Sequence, residues 1–364
     1  MIAGWYRRVL TGRVKMKLVI SAVIALSVLS GSAWATPVSH YGVVCDGKTD
    51  DAPAFNAIPC DGSRLEFPAN ADCVLRESIT LNHPYCHQWT INGAIWDFSK
   101  SGVNNWSPLV NQPDGTDGDY GNKAFPLDGV TIAGPGSSQN SIGLFLHDNH
   151  QLIRGLTIHD AKIGLDLGSY SFSEEFEGIS IFDATWPVVC GESPDNTDSG
   201  EQIDFLGGAL FNSTYGIYNL GCEIHLQGTA IDYVTAEPII NTGSASTTME
   251  NGHIEVSGLS GSFIDNATYL DWPGTGGCNG FTYVSIRDSR FIVSSGGTVH
   301  SLVTNNGAPT CGGNGPWVKL SNNVLSGAST SVTGNNASQV ALCGMTNLNG
   351  GGTMNNVANQ GSCP

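Results

Sequence analysis

Four acidic residues in the middle of the chain, Glu201, Asp204, Asp232 and Glu255, fall at spacings that chemistry could use. A carboxylate can serve as general acid, general base or nucleophile. Two held close together cannot both ionise freely, so one pKa rises while the other stays low. That division suits glycoside hydrolysis, where one carboxyl protonates the leaving oxygen and the other activates water or attacks the anomeric carbon. His253, His225, Tyr233 and Trp186 stand around them as candidates for substrate binding, the flat rings being suited to the apolar faces of sugars. Each has a plainer reading. Acidic side chains on an acidic surface are ordinarily solvated, Tyr233 has core packing as its default, and His253 reads first as a hydrogen-bonded turn histidine.

A loose repeat would bring the four acids together. GLTIHDAKIGLDL begins at Gly155, GISIFDATWPVVC at Gly178, GALFNSTYGIYNL at Gly208, GTAIDYVTAEPII at Gly228 and GHIEVSGLSGSFI at Gly252, giving steps of 23, 30, 20 and 24 residues. Each unit reads as strand, turn, strand, and one such unit cannot bury its apolar face without stacking on its neighbours. Leucine-rich repeats would show regular Leu and an Asn ladder, which these units lack. Turns of variable length suit an all-β, right-handed parallel β-helix, with TYVSIRDSRFIVS, WVKLSNNVLSG and QVALCGMTNL as further coils. Ile158, Ile181, Phe211, Ile231 and Ile254 are expected to stack inward, roughly 4.8 Å per coil. Four residues beyond each glycine, His159, Phe182, Asn212 and Asp232 form an outward column, and Glu255 continues it if the last coil is one residue shorter. One strand earlier, Glu201 and Asp204 stand beside Glu223 and His225. Both columns are expected to face one groove, with Asp232 as base and Glu201 as acid across a gap wide enough for an inverting water.

The ends of a solenoid expose unpaired edges and core, and need caps. YGVVCDGKTDDAPAFNAI, Tyr41 to Ile58, reads as a strand YGVV, a turn at Asp46-Gly47 and a short helix. Thr49 or Asp50 would cap that helix, Pro53 suits its first turn, and Ala54, Phe55 and Ile58 give it an apolar face. A calcium loop from Asp46, Asp50 and Asp51 is the rival, but the EF-hand spacing is absent and no cofactor or metal is expected. Residues 36–60 form the N-terminal cap of a single domain, 36–364, and about 340–364 form its C-terminal end.

The first 35 residues carry five basic side chains, an apolar run LVISAVIALSVL and Ala33-Trp34-Ala35, the ingredients of a cleaved secretory signal of bacterial type. An uncleaved anchor is the alternative, against which the apolar run is too short. All ten cysteines follow the expected cut and read as disulfides, with sequence neighbours paired: Cys45 with Cys60, Cys73 with Cys86, Cys343 with Cys363. The protein is thus expected to be secreted, extracellular or periplasmic, and off the membrane after cleavage. Sequons stand at Asn105, Asn212, Asn266 and Asn336. The formal charge of −17 becomes −22 without the five basic residues of the leader, which excludes nucleic acid as a partner.

The opening stretch resembles the F/Y-G-x-x-x-D-G-x-T-D-D-x-x-A-(F/I) start of the pectate-lyase-like superfamily of right-handed β-helix proteins, found in secreted polysaccharide-degrading enzymes and tailspike depolymerases. The stretch from Ser199 to Val256 looks like the central coils of the tailspike branch, where Glu and Asp on neighbouring coils catalyse hydrolysis. The resemblance implies the fold and an extracellular polysaccharide partner. Tailspike relatives are trimers, but the chain has no stalk segment and a monomer is the default. The expected function is therefore a secreted glycoside hydrolase. A lyase acting by β-elimination on a uronate polymer, using Arg287 and Arg290, is the runner-up, followed by a non-catalytic glycan-binding β-helix.

Overall fold

The computed structural model describes residues 35–59, 64–80, 88–90, 92–101, 109–111, 127–146, 152–168, 171–191, 200–243, 245–258, 261–267, 282–294, 301–306, 317–327, 331–334, 340–348 and 352–357. The leader up to residue 34 and the sequons at Asn105 and Asn336 lie outside them. Residues Pro37–Pro364 form one compact unit, and it contains every coil of the repeat.

Short strands with period-2 burial stack in register into the three faces of a right-handed parallel β-helix. One coil shows the plan. Glu223–Gln227 lies on the first face, Ala230–Val234 on the second and Ile239–Thr242 on the third, before Ser246–Glu250 returns to the first. Every second side chain enters the core: Ile203, Ile224, Thr247, Val284 and Val318 on the first face, and Ile158, Ile181, Leu210, Ile231 and Ile254 on the second. The further coils read from Tyr283, Trp317 and Val340 all take their places.

The inward row contains Leu210 where Phe211 was expected, and the reason is a glycine pair. The coil turns on Gly207, whose φ of 68° matches Gly155, Gly178 and Gly228; the next residue, Gly208, was the wrong origin. Phe211 therefore points outward and stacks on Phe182, with ring centroids 4.8 Å apart. The same left-handed position passes from Gly to Asn251, then Asp288 and Asn322, in the later coils. Counted from Asn251, Glu255 takes the fourth place and completes the column.

The third face carries a buried row, Asn219, Asn241, Asn266 and Asn305, aligned on successive coils. Asn241 donates to Asn266 at 3.2 Å and Asn266 to Asn305 at 2.9 Å, so polar side chains satisfy one another along the axis. The sequon at Asn266 is inside this row and closed to modification in the folded chain.

At the N-terminal end the helix is Ala52–Asn56, but YGVV is not a strand: Val38–Tyr41 is a 3₁₀ turn and the strand is Asp46–Asp50. Phe55 packs on Phe67 and Trp96 and covers the first coils. The buried Asp51 carboxylate accepts the Val44 and Cys45 amides at 2.6 and 3.0 Å, and Asp46 accepts those of Lys48 and Thr49. Cys45 is joined to Cys73 across adjacent strands, in place of the pairings with Cys60 and Cys86, and Cys190 is joined to Cys222. Cys363, the expected partner of Cys343, is outside the described residues. At the other end, Gly352–Val357 runs antiparallel to Val340–Asn347 and covers its free edge. Among the described residues no helix is long and apolar enough to cross a membrane.

Candidate functional site

The outward column of the second face runs Ala133, His159, Phe182, Phe211, Asp232, then Glu255, Ile292 and Ser326. His159, Phe182 and Phe211 stack with interplanar angles of 13° and 19°, giving a strip of aromatic rings that ends at Asp232. The pairing of Ala230–Val234 with His253–Val256 shifts after Ile231. The extra residue is Tyr233, whose φ is 53° and whose side chain is 52% exposed. In the three preceding coils the comparable left-handed residues are Asp160, Asp183 and Asn212, short polar side chains that tolerate that backbone. A tyrosine there is strained, and the core packing expected as its default does not occur.

Beside the bulge, His253 sits between two carboxylates. Its Nε2 is 3.3 Å from Asp232 Oδ1 and 3.4 Å from Glu255 Oε2. Ser294 donates its hydroxyl to Glu255 Oε1 at 2.7 Å, which fixes that carboxylate. Asp232 Oδ1 is buried and has no hydrogen bond; its contact with the imidazole is an ion-pair contact. Burial raises the Asp232 pKa, His253 opposes the rise and Glu255 adds to it. One donor atom from each of the three lies within 4.8 Å of the others, a spacing that could take a cation as well as a proton. Arg290 lies opposite His253 on the next coil, exposed.

The other two acids are placed differently. Glu201 and Asp204 are on Gly200–Leu206, a strand of the first face, where Asp204 is in register with Glu175 and His225. Among the described residues no hydrogen bond or ion pair joins either to Asp232 or Glu255, so the four acids form two separate groups. His225 binds Thr248 Oγ1 through Nδ1 at 2.7 Å and faces Glu223 at 3.4 Å. Trp186, at the start of a third-face strand two coils before Asp232, stacks on Tyr215 with centroids 3.7 Å apart. A further acid that the sequence did not single out is Asp265 on the third face, whose pKa burial and then Glu237 raise. Phe182, Phe211 and Ser294 were not singled out as site residues either. Phe182 already stood in the outward column and the glycine frame taken from Gly207 would have exposed Phe211 beside it, whereas Ser294 is brought in by the fold alone.

No family model matches the sequence, and no curated protein is similar to it in sequence. Solved structures are similar in fold. The A-module of Azotobacter vinelandii mannuronan C-5 epimerase AlgE6 superposes with a TM-score of 0.52 at 12% identity, over 85% of this chain and 98% of that one. The Streptococcus pneumoniae surface protein and adhesin PfbA gives 0.57 at 12%, over 86% and 91%. The gp42 tailspike of an Acinetobacter phage gives 0.55 at 12%, over 90% of this chain and 65% of that one. The likeness is one of fold. In that respect the resemblance drawn from the opening motif holds.

Proposed function

We propose that the protein is a secreted polysaccharide-degrading enzyme, a glycoside hydrolase whose carboxylate pair is Asp232 and Glu255. The observation that carries the reading is the shared contact of the two carboxylates with His253 at the end of an aromatic strip. The fold neighbours include an epimerase, an adhesin and a tailspike, and support a glycan partner as analogy. The joined Cys45–Cys73 and Cys190–Cys222 pairs support an exported chain; a cut after residue 35 and a single domain from 36 to 364 belong to the same proposal.

Burial raises the pKa of Asp232, which favours it as the acid, where the sequence suggested a base. Glu255, with one oxygen fixed by Ser294, is the nucleophile. Glu201 loses the acid role because it stands on the first face. One oxygen of Asp232 and one of Glu255 lie within 4.8 Å of each other, nearer to the separation of retaining than of inverting enzymes, which favours retention over the inversion expected from a wider gap. In the first step the Asp232 proton passes to the leaving oxygen as Glu255 bonds to the anomeric carbon. In the second, Asp232 takes a proton from water, whose oxygen displaces Glu255. His253 Nε2, hydrogen-bonded to Glu255 and in contact with Asp232, links the two carboxylates. Tyr233 and the strip through Phe211 are positioned to bear sugar rings.

Arg290 beside His253 favours a second reading, β-elimination on a uronate, in which the guanidinium neutralises the carboxylate. One experiment separates the two: digestion of a polysaccharide panel, read for reducing ends and for ultraviolet absorbance of unsaturated uronate. Reducing ends without absorbance support hydrolysis; both together support the lyase. No product from any polymer would leave neither standing.

A further inference from the structure

The second and third faces meet at a corner, and successive coils carry matching residues on its two sides. Phe182 and Trp186 stand on either side of the turn in one coil, Phe211 and Tyr215 in the next, and Asp232 and Glu237 in the one after. The third face thus repeats the order of the candidate site, aromatic rings followed by a carboxylate. Trp186 and Tyr215 stack with an interplanar angle of 3°, and Trp186 also meets Tyr218, with centroids 5.1 Å apart. Tyr218 begins a column that continues through Ile240, Asp265 and Thr304 on successive coils. Each of these four side chains is part-exposed while its neighbours on either side in the strand are buried, so the column points outward. Asp265 and Glu237 form its acidic end: burial, and then Glu237, raise the Asp265 pKa. Among the described residues neither acid has an ion-pair partner. Thr304 bonds Ser301 and Thr333 at 3.2 and 3.1 Å, so the hydroxyls beyond the acids satisfy one another.

A ligand for this surface must offer apolar area to the rings and hydrogen-bond donors to the carboxylates, and must carry no negative charge of its own. A simple cation would answer the carboxylates and leave the rings unused. A polyanion would be repelled, by Glu237 and Asp265 and by a chain with 32 acidic against 15 basic residues. A neutral sugar has apolar ring faces and hydroxyl donors together. We propose that the third face is a second, non-catalytic binding site for a neutral polysaccharide. Sugar rings lie against Trp186, Tyr215 and Tyr218, Ile240 continues the apolar floor, and sugar hydroxyls donate to Glu237 and Asp265. Because the two faces share a corner, the site holds a polymer next to the reacting pair without touching the reacting atoms. The inference rests on the reading that the partner is a glycan, but it assigns a face that the reaction does not use and is tested by binding alone.

The test is affinity electrophoresis of the full chain, with Asp232→Asn to suppress turnover, through gels containing dextran, xyloglucan or galactomannan. At least one of these neutral polymers should retard the protein, and added sodium chloride should leave the retardation unchanged, as expected where no ion pair is formed. Trp186→Ala and Tyr218→Ala should each weaken binding about fivefold or more, and Glu237→Gln about threefold. Glu237→Gln removes a charge at constant volume and so guards against a folding defect at the rings. If no neutral polymer is bound, or if Phe211→Ala abolishes retardation while the three third-face variants bind as the parent does, the third face is not a glycan site. Retardation that needs added calcium chloride would make Glu237 and Asp265 a cation site and overturn the proposal as well. Binding through Trp186 and Tyr218 to a polymer that the active protein never cleaves would uphold the third-face site and count against the hydrolase reading, so the two fail separately.

Discussion

Asp51 and Asp232 are both carboxylates withdrawn from water, and burial raises the pKa of each. Their surroundings differ in kind. Asp51, in the N-terminal plug, gives its two oxygens to the Val44 and Cys45 amides, donors that do not titrate and cannot move independently of the chain. Asp232 faces His253 and Glu255, which can exchange protons with it, and its buried oxygen has no hydrogen bond. A carboxylate satisfied by backbone is a strut. One left facing titratable groups beside a strained bulge can do chemistry. Two acid clusters with similar composition thus separate into structural and reactive by their donors.

Exchange of the two aspartates should break the comparison most visibly. Asp232→Asn should lower turnover by about a hundredfold or more with little change in melting temperature, since it removes a proton transfer without opening a cavity. Asp51→Asn should do the reverse, costing about 1–3 kcal/mol as an amide group meets backbone donors, with turnover retained at permissive temperature. Calorimetry and initial rates on both variants check this. Loss of turnover in a stable Asp51→Asn protein would return the plug to the active site.

A third acid sharpens the point through pH. Glu174 points into the core, fully buried, and burial raises its pKa well above the ordinary value, with Ser171 alone opposing the rise through a hydrogen bond. A folded-state pKa above the unfolded one means that stability is fullest below the unfolded value and falls as pH rises through the folded one. Melting temperature should therefore decline from mild acid toward neutrality. Glu174→Gln should flatten that decline and raise the melting temperature at neutral pH more than in acid. Equal profiles for the two proteins would show that Glu174 is not the titrating group.

Tyr233→Asn should give a smaller effect of mixed sign. The left-handed backbone at φ 53° favours Asn, so stability should rise by about 0.5–1 kcal/mol while KM rises from the loss of an exposed ring. A stabilised variant with unchanged kinetics would leave the bulge without a functional reason. The smallest change is expected from Phe211→Ala, a modest rise in KM with kcat retained, because the strip ends short of the reacting pair.

The repeat of glycines and alternating apolar residues was enough to specify a parallel β-helix, because each short strand has a buried face that neighbouring coils alone can cover. The column holding Asp232 and Glu255 was legible for the same reason: period-2 alternation decides which side chains leave the core. Tertiary structure decided the rest. Gly207 and Gly208 are equivalent on paper and both take left-handed backbone, but the strand register aligns Gly207 with the turn glycines of the other coils, and that register moved Phe211 from the core to the surface. Glu201 and Asp204 were placed one strand earlier by the repeat, but the angle at which the turn after Leu206 redirects the chain, and so whether the two columns share a groove, is not encoded in spacing. Cys45 found Cys73 because strand pairing set them side by side, while sequence proximity favoured Cys60. His253 and Ser294 entered the site because stacking places residues from separate coils within hydrogen-bonding reach, a proximity that exists only once the coils close.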